Sequence, residues 1–308
     1  MEGLTAAKTT CDNFSSLIAD YNIICLLESW TTKSSKIDIN GYRTLVHSYR
    51  RFINKRAKRA SGGIIIYVKE NIHKGVKMIK NELDCIVWLK LDKQFFGLKD
   101  DIYLGISYIV PENSTIHAMY DTDLFSTLEA DIMLYSSKGV VFLAGDLNSR
   151  IGVKHDYVEN NFGRSDDILN LFNEIPIARK TNDKGINRFG DLLLDLCKAT
   201  GMCIVNGRLY GDVNGSYTCM TANGESVVDY LLTAYSNFDW LSDFNILPFN
   251  EYSNHAPLTF VFRVNNRVVR ETTREWQSYH WNDENKDKCR ARLAEKIPSF
   301  HVNFELQL

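Results

Sequence analysis

Long hydrophobic runs are absent from this 308-residue sequence. The longest apolar stretches are Ile23–Leu27, Ile64–Val68 and Val140–Ala144, whereas a membrane-spanning helix needs about 20 apolar residues. The N-terminus also lacks the basic region, apolar core and cleavage site of a secretory signal peptide. The sequence therefore predicts an intracellular protein without a membrane partner.

Paired cysteines and an excess of charge are missing as well. The seven cysteines include no C-x-x-C pair, which favours reduced thiols in a reducing compartment and argues against a zinc site. The formal net charge is only −2, so overall charge does not indicate a nucleic-acid or anionic-membrane partner. Any such partner must bind through a local cluster of charge.

One segment has that local charge. Between Arg43 and Lys80 there are eleven Lys and Arg against a single acid, Glu70, so this segment carries +10 and the remainder −12. A basic loop of this kind binds phosphate backbones without reading base sequence, although a solvated loop or a nuclear-import signal is also compatible with it. We predict a nuclear protein whose contacts with a nucleic-acid backbone come from Arg50, Arg51, Lys55, Arg56, Lys58 and Arg59.

Short apolar runs alternate with amphipathic segments along most of the chain. The spacing predicts helices at 11–20, 121–136 and 190–200, the last of which stops at Gly201. Strands outnumber helices, so the pattern predicts an α/β fold of mixed sheets packed together rather than a doubly wound sheet or a TIM barrel. The predicted strands are 22–27, 64–68, 85–90, 102–109, 139–145, 203–206, 227–232 and 257–263.

The composition changes near residue 265. The segment Arg263–Leu308 has one Pro, no Gly and many charged residues. We therefore predict one domain at 1–264, with 265–308 as a linker or the start of a missing downstream region.

Two of the apolar runs end abruptly in polar side chains. The run 23–27 is followed by Glu28, a rigid oxygen ligand for a hard cation such as Mg²⁺. The run 140–144 is followed by Asp146 and Asn148, which project to the same face if the backbone stays extended. A carboxylate that accepts a proton from water, beside an amide that holds a phosphate oxygen, forms a hydrolytic pair. A solvated strand end or an Asx turn would produce the same patterns.

A carboxylate also lies inside the apolar segment 226–232. Buried Asp229 needs a partner, and His255, shortly before the last predicted strand, is the obvious candidate. An Asp that orients a His and favours its protonated form is a common catalytic pairing.

In this order the motifs resemble the endonuclease/exonuclease/phosphatase superfamily, over about residues 1–264. The resemblance implies a four-layer sandwich of two packed mixed sheets flanked by helices, as in deoxyribonuclease. It also implies phosphodiester hydrolysis by water with Mg²⁺, or with Mn²⁺ in its place. The matching residues are Glu28 as metal ligand, Tyr108 before Pro111 near the scissile phosphate, the G-D-x-N pair Asp146 and Asn148, Asp229, and Asn254-His255 as the closing S-D-H motif.

Within the superfamily the chain is most similar to the endonuclease domain of non-LTR retrotransposon polyproteins, in which a reverse transcriptase follows. The likeness lies in GDLNSRIG and in the stretches 61–72, 188–208 and 216–232, while 274–293 is similar to the start of the linker. A DNA endonuclease is the first interpretation. An inactive relative that only binds nucleic acid or protein, and a phosphatase or phospholipase, are the others.

Two departures from the family pattern bear on activity. The first strand of the family, with its metal-organising Asn, is expected to be missing before Gly3-Leu4. The Asp of the closing motif is replaced by Asn254, a second candidate metal ligand, which removes one negative charge from the site.

Overall fold

The computed structural model describes residues 3–35, 37–50, 61–120, 122–158 and 178–264, with 286–288, 290–292 and 294 near the C-terminus. The chain divides into two units, Met1–Val268 and Val269–Leu308. The described residues of the second unit are helical.

Among the described residues of the first unit, strands outnumber helices. The helices are α1 (Ala6–Thr9), α2 (Asp12–Ile18), α3 (Lys93–Phe96), α4 (Leu124–Ser136) and α5 (Arg188–Thr200). The strands are β1 (Ile23–Leu27), β2 (Tyr42–Ser48), β3 (Ile64–Lys69), β4 (Val76–Leu83), β5 (Ile86–Leu91), β6 (Ile102–Tyr108), β7 (Val140–Asp146), β8 (Met202–Ile204), β9 (Cys219–Thr221), β10 (Gly224–Ser226), β11 (Asp229–Ala234), β12 (Leu241–Ile246) and β13 (Leu258–Phe262).

The strands form a larger and a smaller sheet. The larger sheet has the order β4-β5-β6-β7-β11-β8 and is mixed, because β6 and β7 are parallel and the other neighbours are antiparallel. The smaller sheet, β1-β3-β2, is antiparallel throughout. Two hairpins, β9–β10 and β12–β13, complete the strands.

The two sheets pack face to face, and helices cover their outer faces. Strand β3 shows how the sequence produces these layers, because its continuous apolar run is buried on both sides. Ile64, Ile66 and Val68 enter the core between the sheets, while Ile65 and Tyr67 pack with residues of α2. On the far side of the larger sheet, α4 and α5 bury their apolar residues against β6 and β7. The predicted four-layer α/β sandwich is confirmed, with the difference that only the larger sheet is mixed.

The predicted helices and strands are present, and the elements that the sequence did not predict are polar or short. Each predicted strand coincides with a strand, and the three predicted helices correspond to α2, α4 and α5. Asn187 caps the N-terminus of α5, and Gly201 ends this helix in the left-handed conformation, as expected. Strand β4 was missed because most of its side chains are exposed or half-buried at the edge of the sheet. Also missed were β2, β9, β10, β12, α1 and α3.

The described cysteines are free thiols, which agrees with the prediction of reduced residues. Among the described residues, no helix is both long enough and apolar enough to cross a membrane.

The parallel pairing of β6 with β7 depends on a glycine. Gly145 lies opposite Ser107 and has a φ of +141°, a conformation that L-residues rarely adopt. A Cβ atom at Gly145 would lie 1.9 Å from the carbonyl oxygen of Ser107. Only glycine therefore lets the two strands approach each other at this point.

A buried ion pair anchors β8. The guanidinium of Arg208 donates two hydrogen bonds of 2.7 Å to the carboxylate of Asp156, and both side chains are almost completely buried. Asp156 also accepts a hydrogen bond from the backbone N–H of Ile204. Burial opposes ionisation of Asp156, but Arg208 outweighs this effect and lowers the pKa of the carboxyl.

We expect Asp156→Asn to lower the free energy of unfolding by about 3–5 kcal/mol at pH 7, because the buried guanidinium of Arg208 would lose the negative charge of Asp156. The loss should be smaller in Asp156→Leu/Arg208→Met, which removes both charges. Since the folded-state pKa is lowered, the contribution is present above the ordinary value of about 3.9 and is lost as the pH falls through the folded-state pKa. Urea denaturation at pH 7 and pH 3 checks this, and an equal loss at both would contradict it.

Gly145→Ala should lower the free energy of unfolding by at least about 2 kcal/mol more than Gly224→Ala. Gly224 is the matched control, because its φ is also positive, +121°, but nothing lies within 4 Å of the added Cβ. The difference between the two variants in chemical denaturation therefore measures the clash with Ser107. Equal destabilisation would show that β6 and β7 tolerate a side chain at this position.

Candidate active site

Three polar side chains lie in one row across the larger sheet. The parallel register pairs Tyr108 with Asp146, and the antiparallel register pairs Asp229 with Asp146. Paired residues on neighbouring strands project from the same face, so the three side chains converge. All three are buried. Strands β6 and β7 end here and β11 begins here, which makes this edge of the sheet the candidate site.

Glu28 belongs to the smaller sheet and meets the same group. It directly follows β1, and the hydroxyl of Tyr108 donates a hydrogen bond to its Oε1. Glu28 has a φ of +53°, a strain that is typical of functional positions when it occurs outside glycine. Burial, together with the Glu28 carboxylate, raises the pKa of Tyr108, so that its hydroxyl remains protonated and able to donate.

His255 completes the group from the loop before β13. Its Nδ1 lies 2.8 Å from Oδ2 of Asp229, and its Nε2 lies 4.0 Å from Oδ2 of Asp146. Burial disfavours the charged ring, but the Asp229 carboxylate outweighs this effect and raises the pKa of His255 to about 11. The ring is therefore a cation at neutral pH.

The electrostatics of Asp146 favour a bound cation. Burial, followed by the neighbouring charge of Asp229, raises the pKa of Asp146 well above its ordinary value. Ligand atoms of Asp146, Asp229 and His255 lie within 4.8 Å of one another. Carboxylate oxygens are the donors that Mg²⁺ and Mn²⁺ prefer, and a divalent cation would offset the repulsion between the carboxylates. The carboxylates of this group therefore fit a hard divalent metal.

Asn148 comes close to Asp146 by a different route from the one predicted. Strand β7 ends at Asp146, and Asn148 has a φ of +48°, so the backbone turns instead of staying extended. Its side-chain amide donates hydrogen bonds to the carbonyl oxygen of Ile109 and to Oδ2 of Asp146, at 2.8 and 3.2 Å. Its backbone N–H also donates to Oδ1 of Asp146. In this structure Asn148 orients the Asp146 carboxylate.

Two further predicted site residues, Asn254 and Arg50, differ in their exposure to solvent. Asn254 is exposed, immediately precedes His255, and accepts a hydrogen bond from the N–H of Met220 through its backbone oxygen. Its role as a metal ligand stays a prediction. Arg50 was expected on an exposed basic loop, yet only 6% of it is exposed.

The burial of Arg50 has a physical cause. Its Nη1 donates to Oγ of Ser61, and its Nε lies 3.5 Å from Oδ2 of Asp84. Asp84 lies between β4 and β5 whereas Arg50 follows β2, so this ion pair connects the two sheets. Arg50 is thus a structural cation rather than a surface contact. The other predicted DNA contacts, Arg51, Lys55, Arg56, Lys58 and Arg59, lie outside the described residues.

Sequence reasoning missed the residues that hold Asp229. The hydroxyl of Thr218 accepts hydrogen bonds from the N–H groups of Val228 and Asp229, both at 3.0 Å. The amide of Asn206 donates to the carbonyl oxygen of Asp229 and accepts from the N–H of Leu231. Asn206 is the last residue of the predicted strand 203–206, and its position at the end of an apolar run was its only signal in the sequence.

Several solved structures share this fold. The endonuclease domain of TRAS1, a telomere-specific non-LTR retrotransposon, is 15% identical and has a TM-score of 0.50, with 84% of this chain and 93% of that chain covered. The AP endonuclease LMAP from Leishmania major is 15% identical with a TM-score of 0.57, and 85% of each chain is covered. The 3′ phosphatase NExo from Neisseria, bound to a product DNA hairpin, is 14% identical with a TM-score of 0.51, covering 82% of this chain and 93% of that chain.

At such identities these likenesses show the fold. No curated protein matches the chain in sequence. The sequence pattern of the Endonuclease/Exonuclease/phosphatase family, however, matches residues 11–280. The resemblance drawn from the motifs is therefore confirmed, and it supports phosphodiester hydrolysis as the general chemistry. The chain belongs to the Endonuclease/Exonuclease/phosphatase family, whose members depend on a divalent metal.

Proposed function

We propose that this chain is a Mg²⁺-dependent endonuclease of retrotransposon origin that nicks DNA. The observation that carries the proposal is the meeting of Glu28, Tyr108, Asp146, Asp229 and His255 at the ends of strands from both sheets. A protonated imidazole among buried carboxylates suits the hydrolysis of an anionic ester. We also propose that the protein is located in the nucleus.

Glu28 and Asp146 would hold the metal ion. When bound, a divalent cation neutralises charge on the phosphate and the leaving oxygen. Mg²⁺ is proposed because oxygen atoms dominate the donor set, and Mn²⁺ is expected to replace it.

Asp146 would position the attacking water and accept its proton at the carboxylate. The hydrogen bonds from Asn148 limit the rotation of this carboxylate. The base is thus held in one orientation before the substrate arrives.

His255 and Tyr108 would contact the phosphoryl oxygens. The imidazolium has its Nδ1 engaged by Asp229, which leaves Nε2, on the side of Asp146, to donate to an oxygen of the phosphate. The protonated hydroxyl of Tyr108 is a second donor, which would exchange its bond to Glu28 for one to the substrate. Such preorganised donors lower the barrier most when they contact the charge that develops in the transition state.

DNA is the proposed substrate because of local charge. The five basic residues between 51 and 59 follow directly from Arg50, which lies at the edge of the smaller sheet near Glu28. A backbone-contacting segment in this part of the chain suits a substrate that is a long polyanion. The proteins with a similar fold include an AP endonuclease and a phosphatase bound to a DNA hairpin.

A second candidate function is nucleic-acid binding without efficient catalysis. Asn254 motivates it, because the family motif carries an Asp at this position next to His255. Loss of one negative charge weakens the attraction for a divalent cation. An inositol-phosphate or lipid phosphodiesterase of the same fold is a third candidate. This function assigns no role to the basic residues between 51 and 59.

We expect Asp146→Ala and His255→Ala each to lower the rate of plasmid nicking in Mg²⁺ by at least about 10²-fold, because they remove the base and the cationic donor. Asp195→Ala is the matched control, since this carboxylate is exposed on α5. Its nicking rate should equal that of the parent protein, and EDTA should abolish nicking by the parent and by this control. Nicking at the parental rate by either site variant would overturn the assignment.

Asn254→Asp separates the first two functions. If the chain is an active nuclease, the parent nicks plasmid in Mg²⁺ and this variant changes only the metal concentration needed. If the chain has decayed, only the variant nicks. Hydrolysis of inositol phosphates or sphingomyelin by the parent, without nicking, would favour the third function.

The affinity for duplex DNA should fall steeply between 50 and 200 mM salt, since counterion release governs backbone binding. Replacing Arg51, Lys55, Arg56, Lys58 and Arg59 by Gln should reduce the slope of log affinity against log salt by up to about 4–5, at roughly 0.9 per contact. The control is the double variant Lys93→Gln/Lys138→Gln, which replaces exposed lysines at the start of α3 and shortly after α4. It should leave the slope unchanged. An affinity that hardly responds to salt would contradict backbone binding by this segment.

A further inference from the structure

Asp183 is a buried carboxylate outside the group of site residues. It is 3% exposed and lies in the segment between the described residue 178 and α5. None of the sequence motifs includes it. Its carboxylate nevertheless accepts four hydrogen bonds. One comes from the nearby backbone N–H of Gly185, and the other three come from two distant parts of the chain.

The first part is the loop that directly follows β7. Arg150, at the end of the G-D-x-N-S-R motif, donates from Nε and Nη2 to the two oxygens of Asp183, at 3.0 and 2.6 Å. This two-point pairing of a guanidinium with a carboxylate fixes orientation as well as distance. Gly185 makes room for it, because a Cβ there would lie 2.1 Å from Nη2 of Arg150.

The second part is the chain that enters β11. The backbone N–H of Val227 donates to Oδ2 of Asp183 at 3.0 Å, and Val227 lies two residues before Asp229. The same Oδ2 accepts from Arg150. One oxygen atom therefore joins the loop after Asp146 to the segment before Asp229.

Other hydrogen bonds reinforce the same junction. The hydroxyl of Tyr230 donates to the carbonyl oxygens of Ser149 and Val227, both at 2.7 Å. Asn187 accepts from the N–H of Arg150 and donates to the carbonyl oxygen of Asn148, both at 2.8 Å. Asp183 is the acidic member of this network, and it contacts the side chain of Arg150 on one side of the junction and the backbone of Val227 on the other.

We infer that Asp183 is a positioning residue for phosphodiester hydrolysis, which sets the placement of Asp146 and Asn148 relative to Asp229 through Arg150 and Val227. This inference rests on the proposed function of the site. Asp183 does not touch the reacting atoms. Its effect is geometric, because shifts of about 1 Å in a catalytic group cost up to about 10²-fold in rate.

A variant of Asp156 distinguishes a positioning role of Asp183 from a purely stabilising one. It is also a buried carboxylate that pairs with an arginine through two hydrogen bonds and accepts one backbone N–H. It anchors Ile204 in β8, not the loop after β7. Asp156→Asn therefore provides a control with the same chemistry and, because Arg208 is more deeply buried than Arg150, with at least as large an expected loss of stability.

The test is steady-state plasmid nicking by Asp183→Asn and Asp156→Asn, at a temperature where both variants are folded. We expect Asp183→Asn to lower kcat at least about 10-fold while KM for DNA changes by less than about 3-fold. Asp156→Asn should leave both constants within about 3-fold of the parent. Equal kcat losses in the two variants would reduce Asp183 to a stabilising residue and overturn the inference.

Amide hydrogen exchange tests the inference without activity. Asp183→Asn should accelerate exchange both in 146–151 and in 227–230, whereas Asp156→Asn should accelerate it near Ile204 and leave those two segments unchanged. Acceleration confined to one of the two segments would contradict a shared junction. If the parent fails to nick DNA, the proposed function falls, and the exchange pattern still decides whether Asp183 joins the two segments.

Discussion

Asp146 and Asp229 lie opposite each other on neighbouring strands, and the rest of the site depends on this pairing. Burial, together with the repulsion between these two carboxylates, raises the pKa of Asp146. The protonated His255 compensates part of the charge, and a divalent cation held with Glu28 would compensate more. The two carboxylates would thus attract a divalent cation to the site.

The surrounding structure holds this arrangement from several directions. Gly145 allows β6 and β7 to approach, so that Tyr108 comes level with Asp146. The hydrogen bond from Tyr108 to Glu28 and the ion pair between Arg50 and Asp84 both connect the two sheets near this edge. Apart from His255, which comes from the loop before β13, the candidate site is therefore built into the contact between the sheets.

The sequence predicted the strands that are buried on both faces, because continuous apolar runs such as 64–68 and 140–144 have no other place in a folded protein. It also predicted the pairing of Asp229 with His255, since a carboxylate next to apolar residues needs a partner. It failed where tertiary structure decides the outcome. The left-handed turn at Asn148 and the burial of Arg50 depend on contacts with residues distant in the chain.

The same limit explains why Thr218, Asn206 and Asp183 were missed. Each acts through backbone N–H or C=O groups of another segment, and backbone groups leave no mark in the sequence. Only the register of the sheet reveals that these polar residues surround the ends of β7 and β11. Motifs therefore identified the groups proposed to react, and the structure was needed to identify the groups that hold them.

The location of a bound metal tests the central claim most directly. Crystals of the chain soaked in Mn²⁺ should show an anomalous peak within bonding distance of the carboxylates of Glu28 and Asp146, on the side of His255. The peak should disappear in Glu28→Gln crystals, because Mn²⁺ prefers charged oxygen ligands. A fully occupied Mn²⁺ bound elsewhere, with none between these carboxylates, would contradict the account.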